Sequence, residues 1–134
     1  MNVFDDEGVD PATMQLAHTG DTDDLVYIEE LLGRRPLIGM NRYGLDIILA
    51  ADKRNETVLA LLERGYADRM FVSADAVGDF DWFDLELVEQ MEPNWKSTYV
   101  FEKIVSQLRE GGMSDEQLET MMVDNPRRWL SGES

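Results

Sequence analysis

Apolar residues in this chain gather in short runs, and the stretches between them carry apolar positions at helical spacing. Met14-Gln15-Leu16-Ala17, Pro36-Leu37-Ile38-Gly39-Met40 and Arg69-Met70-Phe71-Val72-Ser73 are the short runs. Their length and flanking turn residues predict buried strands near 13–17, 36–40 and 69–73. Between the first pair, Leu25, Ile28, Leu31 and Leu32 fall on one helix face, and Asp21 or Thr22 is placed to cap that helix. Between the second pair, Val58, Leu59, Leu61 and Leu62 stripe a helix over Asp52–Gly65, which Gly65 stops. The chain opens on the pattern of a helix end, with Gly8 at the C-cap position and Pro11 beginning a connection.

After the third strand comes a long connection, 76–97, holding Trp82 and Trp95. Loops of that length in compact domains are functional or disordered, and tryptophans argue for an ordered lid or wall. Thr98–Glu110 predicts a further helix. A capping box, Ser114 with Gln117, opens a last one, expected to stop before Asn125-Pro126.

Strands alternating with helices predict an α/β fold around a parallel sheet. His18, Asn41-Arg42 and Asp75 each follow the C-terminal end of a predicted strand. In a (β/α)8 barrel that is the catalytic rim. A closed barrel needs about 250 residues, so 134 residues with three β/α units predict a partial (β/α)8 TIM barrel. Such a piece leaves unpaired strand edges, and a start on a helix end fits a portion of something larger.

Charge narrows the partners. The chain has 28 acidic and 12 basic residues, a net charge of −16, and only Lys53, Lys96 and Lys103 are lysines. That surface repels nucleic acid and anionic membranes, so neither is expected as a partner. It reads as a solvated face suited to concentrated salt, where self-repulsion is screened. No apolar run is long enough to span a bilayer. With no cysteine there is neither a disulfide nor a thiolate metal site, and a cytoplasmic location is expected.

The only histidine is His18, so any metal site needs carboxylates or another polypeptide to complete it. His18 and Asp75 are the natural pair, since imidazole and carboxylate both ligate zinc, cobalt or manganese. Each also has a plain structural reading, His18 as a core or capping residue and Asp75 as a helix cap. Asp21 fits a partner that orients His18, an N-cap, or both. Arg42 fits either a group that polarises a carbonyl or phosphoryl oxygen or a surface ion pair. Trp82 fits a substrate-pocket wall or ordinary loop packing. The acidic run Asp21–Asp24 lacks the alternating ligands and closing glutamate of a calcium loop.

Several segments together carry a family resemblance. They are Ala17-His18-Thr19-Gly20-Asp21-Thr22-Asp23-Asp24, Leu37-Ile38-Gly39-Met40-Asn41-Arg42-Tyr43-Gly44-Leu45-Asp46, Asp52-Lys53-Arg54-Asn55-Glu56-Thr57, Gly65-Tyr66-Ala67-Asp68-Arg69, Ser73-Ala74-Asp75 and Asn125-Pro126-Arg127-Arg128. The chain resembles the C-terminal part of the phosphotriesterase family in the amidohydrolase superfamily, most closely its lactonase branch. The resemblance covers nearly all of residues 1–134, read as the last three β/α units of the barrel plus C-terminal helices.

It implies a metal-dependent hydrolase in which a hydroxide bridging two divalent metals attacks a lactone or organophosphate ester. Zinc is the expected metal, with cobalt, manganese or iron as substitutes. His18 matches a metal-binding histidine, and Asp75 an aspartate that ligates the other metal and accepts a proton. Asp21 matches an aspartate that passes the proton outward. Arg42 matches an arginine typical of lactonases, and Trp82 a tryptophan that contacts substrate. Two departures flank the site: Asn41 stands where the lactonases have aspartate, and Ala74 where a polar residue is common. The remaining ligands implied by the family, a His-x-His pair, a carbamylated lysine and another histidine, are outside this sequence. They are expected from a longer parent protein or a separately encoded N-terminal half chain, with a homodimer as the other candidate partner, and the isolated chain is expected to be inactive. The competing expectation is an inert truncated or split-gene fragment, or an interaction module that needs such a partner.

Overall fold

The computed structural model describes residues 4, 6–76 and 84–132. At its centre is a parallel sheet ordered β1-β2-β3, with β1 at Gln15–Leu16, β2 at Leu37–Met40 and β3 at Met70–Val72. Leu16 lies opposite Ile38, and Ile38 opposite Met70. Strand side chains alternate between faces, so these residues and their second neighbours Met40 and Val72 share one face.

Helix α1 (Leu25–Leu32) and helix α2 (Ala51–Glu63) follow β1 and β2. Ile28 and Leu32 of α1 and Val58, Leu61 and Leu62 of α2 join the sheet residues in one buried cluster. Every position of β2 is buried, as a central parallel strand requires. The opposite face is partly polar: a Cβ on Gly39 would come within 2.0 Å of Asn41 Oδ1 and 3.0 Å of Gln15 Nε2.

The chain start behaves as its glycine suggests. Gly8 has φ +71°, and the Val9 amide donates to Phe4 O at 2.9 Å, the six-to-one bond of a Schellman helix end. β1 is shorter than the apolar run that announces it, because only its middle residues, Gln15 and Leu16, pair with β2. The Leu37 amide extends that pairing back to Met14 O at 2.9 Å.

Three local expectations are corrected. Helix α1 is capped by Asp24, whose carboxylate accepts from the Tyr27 amide at 3.1 Å. Asp21 sits in a 3-10 turn, Thr19–Asp21, with its carboxylate engaged by arginines, and is not free to cap. The long connection contains helix α3, Leu85–Met91, whose N-cap Asp84 accepts from the amides of Glu86 and Leu87.

The last helix does not stop at Pro126. Helix α4 (Val105–Glu110) follows a π-turn at Val100–Ile104, and helix α5 (Asp115–Glu119) opens with the Ser114–Gln117 capping box. A second π-turn, Thr120–Asp124, then leads directly into α6, Asn125–Ser131. The Asn125 amide bonds Thr120 O, five residues back. That widened turn interrupts the ordinary ladder just where proline lacks a donor and crowds the preceding carbonyl. Among the described residues no helix is long and apolar enough to cross a membrane.

Candidate active site

Past each strand end the chain turns sharply through a non-glycine residue in the left-handed region. His18 has φ 62°, Arg42 φ 62° and Asp75 φ 51°, so all three sites proposed from the sequence occupy the same kind of turn. A left-handed L-residue costs about 1–2 kcal/mol, and such outliers concentrate at functional sites.

The turns bring their side chains together. His18 Nδ1 lies 3.6 Å from Asp75 Oδ2, close enough for electrostatic contact and too long for a hydrogen bond. The same oxygen accepts from Arg42 Nε at 3.4 Å, and Arg42 Nη1 donates to Asp21 Oδ2 at 2.7 Å. Asp21 Oδ1 accepts in turn from Arg54 Nη1 and Nη2, each at 3.1 Å. The result is a line of alternating charge, Arg54–Asp21–Arg42–Asp75, ending at the histidine. It crosses the loops that follow all three strands.

Exposure falls along that line. The side chains of His18 and Asp75 are 38% and 40% exposed, those of Arg42 and Asp21 30% and 22%, and Arg54 1%. The outer end is open to a ligand while the inner end is fixed in protein. Sequence reasoning had placed every member of the line except Arg54. Trp82 lies outside the described residues.

A cavity of about 530 Å³ opens beside Arg42 and Asp75. Its wall is mostly apolar, with Leu45, Ile47 and Ile48 from the loop after β2 and Leu87, Val88, Met91 and Trp95 from the connection after β3. Arg42, Asp75, Asp84 and Glu92 supply its polar lining, and a largely apolar wall with a few polar groups suits a small organic ligand. A second hollow of about 450 Å³ touches His18 and Asp21 from the side of β1, against Tyr27 and Leu31.

The two wall segments are fastened to each other. Glu92 Oε2 and Oε1 accept from the amides of Asp46 and Ile47, each at 3.1 Å. Trp95 Nε1 donates to Ala74 O at 2.9 Å, next to Asp75. Gly44, at φ +95°, lets the Asn94 backbone approach so closely that a Cβ would stand 2.2 Å from Asn94 O. Replacing half-buried Glu92 with alanine removes two solvent-exposed bonds, so a loss of about 1 kcal/mol is expected in urea unfolding. Faster hydrogen exchange should follow at Asp46 and Ile47. Beneath this loop Tyr43 is fully buried, and burial pushes its phenol far above the usual range, opposed only in part by the Arg54 charge. It remains neutral and plays no acid–base role.

His18 Nδ1 is buried and has no hydrogen-bond partner. An unpaired imidazole nitrogen facing a carboxylate oxygen at 3.6 Å puts two potential donor atoms within reach of one small metal centre. The pair fits two members of a donor set. No group of three or more potential ligands occurs among the described residues, so a full set needs donors from elsewhere.

Comparison with known proteins is consistent across sequence and structure. A model of the phosphotriesterase family matches residues 1–130. An aryldialkylphosphatase of Saccharolobus solfataricus is 37% identical over 131 residues, 96% of this chain and 42% of that protein. A phosphotriesterase homology protein of Mycobacterium tuberculosis is 41% identical over 126 residues, 94% of this chain and 39% of its own length. The solved phosphotriesterase from Mycobacterium tuberculosis superposes with a TM-score of 0.93 at 40% identity, over 96% of this chain and 40% of that one. Organophosphorus hydrolase from Deinococcus radiodurans gives 0.83 at 27% identity, again over 96% of this chain and 40% of that one. The chain therefore spans about two-fifths of the length of these relatives.

Proposed function

Because this chain belongs to the phosphotriesterase family, we propose that it supplies one side of the active site of a metal-dependent hydrolase acting on lactones or organophosphate esters. The convergence of His18, Arg42 and Asp75 from the ends of adjacent parallel strands, with His18 and Asp75 3.6 Å apart, is the observation that carries this reading. Family membership supports it, as do relatives named for phosphotriester hydrolysis.

His18 and Asp75 would hold divalent metal, with zinc first and cobalt, manganese or iron as substitutes. When bound, the metal supplies Lewis acidity and lowers the pKa of water. Asp75 would act as the base that takes a proton from the attacking water. Arg42 lines the apolar cavity and presents a fixed positive charge to a carbonyl or phosphoryl oxygen that gains charge during reaction. Asp21, held by Arg42 and Arg54, accepts the proton next and passes it outward. Trp82 completes the substrate contacts. The apolar wall of the cavity favours a substrate with a hydrocarbon portion.

The remaining metal ligands would come from the other strands of the barrel, carried either by a longer parent protein or by a companion polypeptide. The test measures bound zinc, cobalt and manganese together with lactone hydrolysis, for the chain alone and after that companion is added. The chain alone should bind metal below one equivalent and show no turnover, and the assembled pair should gain both. Stoichiometric metal with turnover by the chain alone would overturn the shared-site reading. An assembled, folded and still inactive pair would favour an inert or purely interacting module.

A further inference from the structure

Arg54 has no part in the chemistry described above, yet it is the most deeply buried charge in the described structure, at 1% exposure. A guanidinium is costly to bury unless every donor is met and its charge is balanced. Its partners come from two of the three loops that carry the candidate site. Nη1 donates to Gly20 O, to Asn41 O at 2.9 Å and to Asp21 Oδ1 at 3.1 Å, Nη2 donates to the same Asp21 oxygen, and Nε donates to Leu49 O at 3.0 Å.

The geometry at Nη1 is the telling part. Three acceptors, two of them backbone carbonyls from different loops, converge on one nitrogen. They come close because Gly20 packs directly on the end of β2, where a Cβ would stand 2.9 Å from Met40 Cα. Without a cation between them the three oxygens repel one another, and the loops must separate. Gly20 is two residues from His18, and Asn41 is adjacent to Arg42. The same cation therefore fixes the distance between the left-handed turns at His18 and Arg42.

Resting on the hydrolase reading, we infer that Arg54 is a positioning residue. It clamps the loop after β1 to the loop after β2 and holds Asp21 so that its second oxygen receives Arg42. Arg42 is thereby aimed at Asp75 and the cavity. Arg54 touches neither substrate nor metal ligand and acts through Asp21 and the two carbonyls.

The test compares Arg54→Met and Arg54→Lys with Asp21→Asn, using two readouts. The first is hydrogen exchange on the full chain without metal. Arg54→Met should speed exchange at least about tenfold for amides of residues 19–22 and 41–46, while β3 and α4 keep their protection. The second readout is kinetics and metal content in the enzyme assembled with its companion. There Arg54→Met should lower kcat by about a hundredfold, leaving KM within about threefold and metal content unchanged. Arg54→Lys should recover part of the loss, because an ammonium can reach some of the acceptors but not all. Asp21→Asn added to Arg54→Met should cost far less than it does alone.

Wild-type exchange in both loops would overturn the proposal, as would a kcat unaltered in folded Arg54→Met. Protection lost equally across β3 and α4 would also overturn it, by making Arg54 a general stabiliser. If Arg54→Met does not fold, the Arg54→Lys comparison decides by the same criteria. An assembled wild-type enzyme without turnover would remove the hydrolase reading, while the exchange experiment would still decide whether Arg54 clamps the loops.

Discussion

Asp75→Asn is expected to lower lactone hydrolysis by about a thousandfold in the assembled enzyme, the range for loss of a positioned proton acceptor. Asparagine is the right replacement because the backbone at this position is left-handed, φ 51°. Asparagine tolerates that conformation better than other L-residues, so the turn survives and only the charge and basicity change. The amide can still accept from Arg42 through its oxygen, which keeps the Arg42 side chain near its present place. Asp75→Ala would add backbone strain to the loss of the carboxylate and would confuse the two. Metal content must be measured beside the rate, because Asp75 is proposed both as ligand and as proton acceptor. A large rate loss with metal retained assigns the proton role, and a parallel loss of metal assigns the ligand role. A near-normal rate with metal bound would refute both.

The residues that carry this expectation were legible in the sequence for a simple reason. A parallel strand announces itself as a short apolar run, and the rim positions follow directly from where the run ends. His18, Arg42 and Asp75 could be found that way without knowing which residues touch.

Arg54 was missed because an arginine early in a helix ordinarily reads as solvated surface. A signal for it exists in the spacing. Arg54 precedes Val58, Leu61 and Leu62 by four, seven and eight residues, so it lies on the buried stripe of α2. A charge in register with an apolar stripe requires a buried counter-charge, and Asp21, distant in sequence, supplies it. Helix α3 was read as loop because acidic residues alternate with Leu85, Leu87 and Val88 through that segment. The π-turn before Pro126 left no mark in the pattern at all, since proline ordinarily signals a stop.

Asn125→Ala is expected to destabilise the chain by about 2–4 kcal/mol, since it strands buried carbonyls as well as removing their bonds. Asn125 is completely buried. Its Nδ2 donates to Ala67 O and to Met70 O, both at 2.7 Å, and its Oδ1 accepts from Arg128 Nη2 at 3.0 Å. Met70 is the first residue of β3, so one amide ties the C-terminal helix to the start of the strand that delivers Asp75. The π-turn Thr120–Asp124 ends just before Asn125, which opens α6 with Pro126 in its first turn, where proline needs no donor. Domains of this kind are stable by only about 5–15 kcal/mol, so the loss should be plain as a lower urea midpoint with an unchanged slope. Asn125→Leu separates packing from hydrogen bonding. It fills comparable space with no polar atoms and should be no more stable than Asn125→Ala, because Ala67 O and Met70 O remain unmet. Wild-type stability in the leucine variant would show that the asparagine serves only as filler. The activity lost in either variant should track the unfolded fraction, with kcat per folded molecule close to normal, because Asn125 supports β3 from the end away from the site.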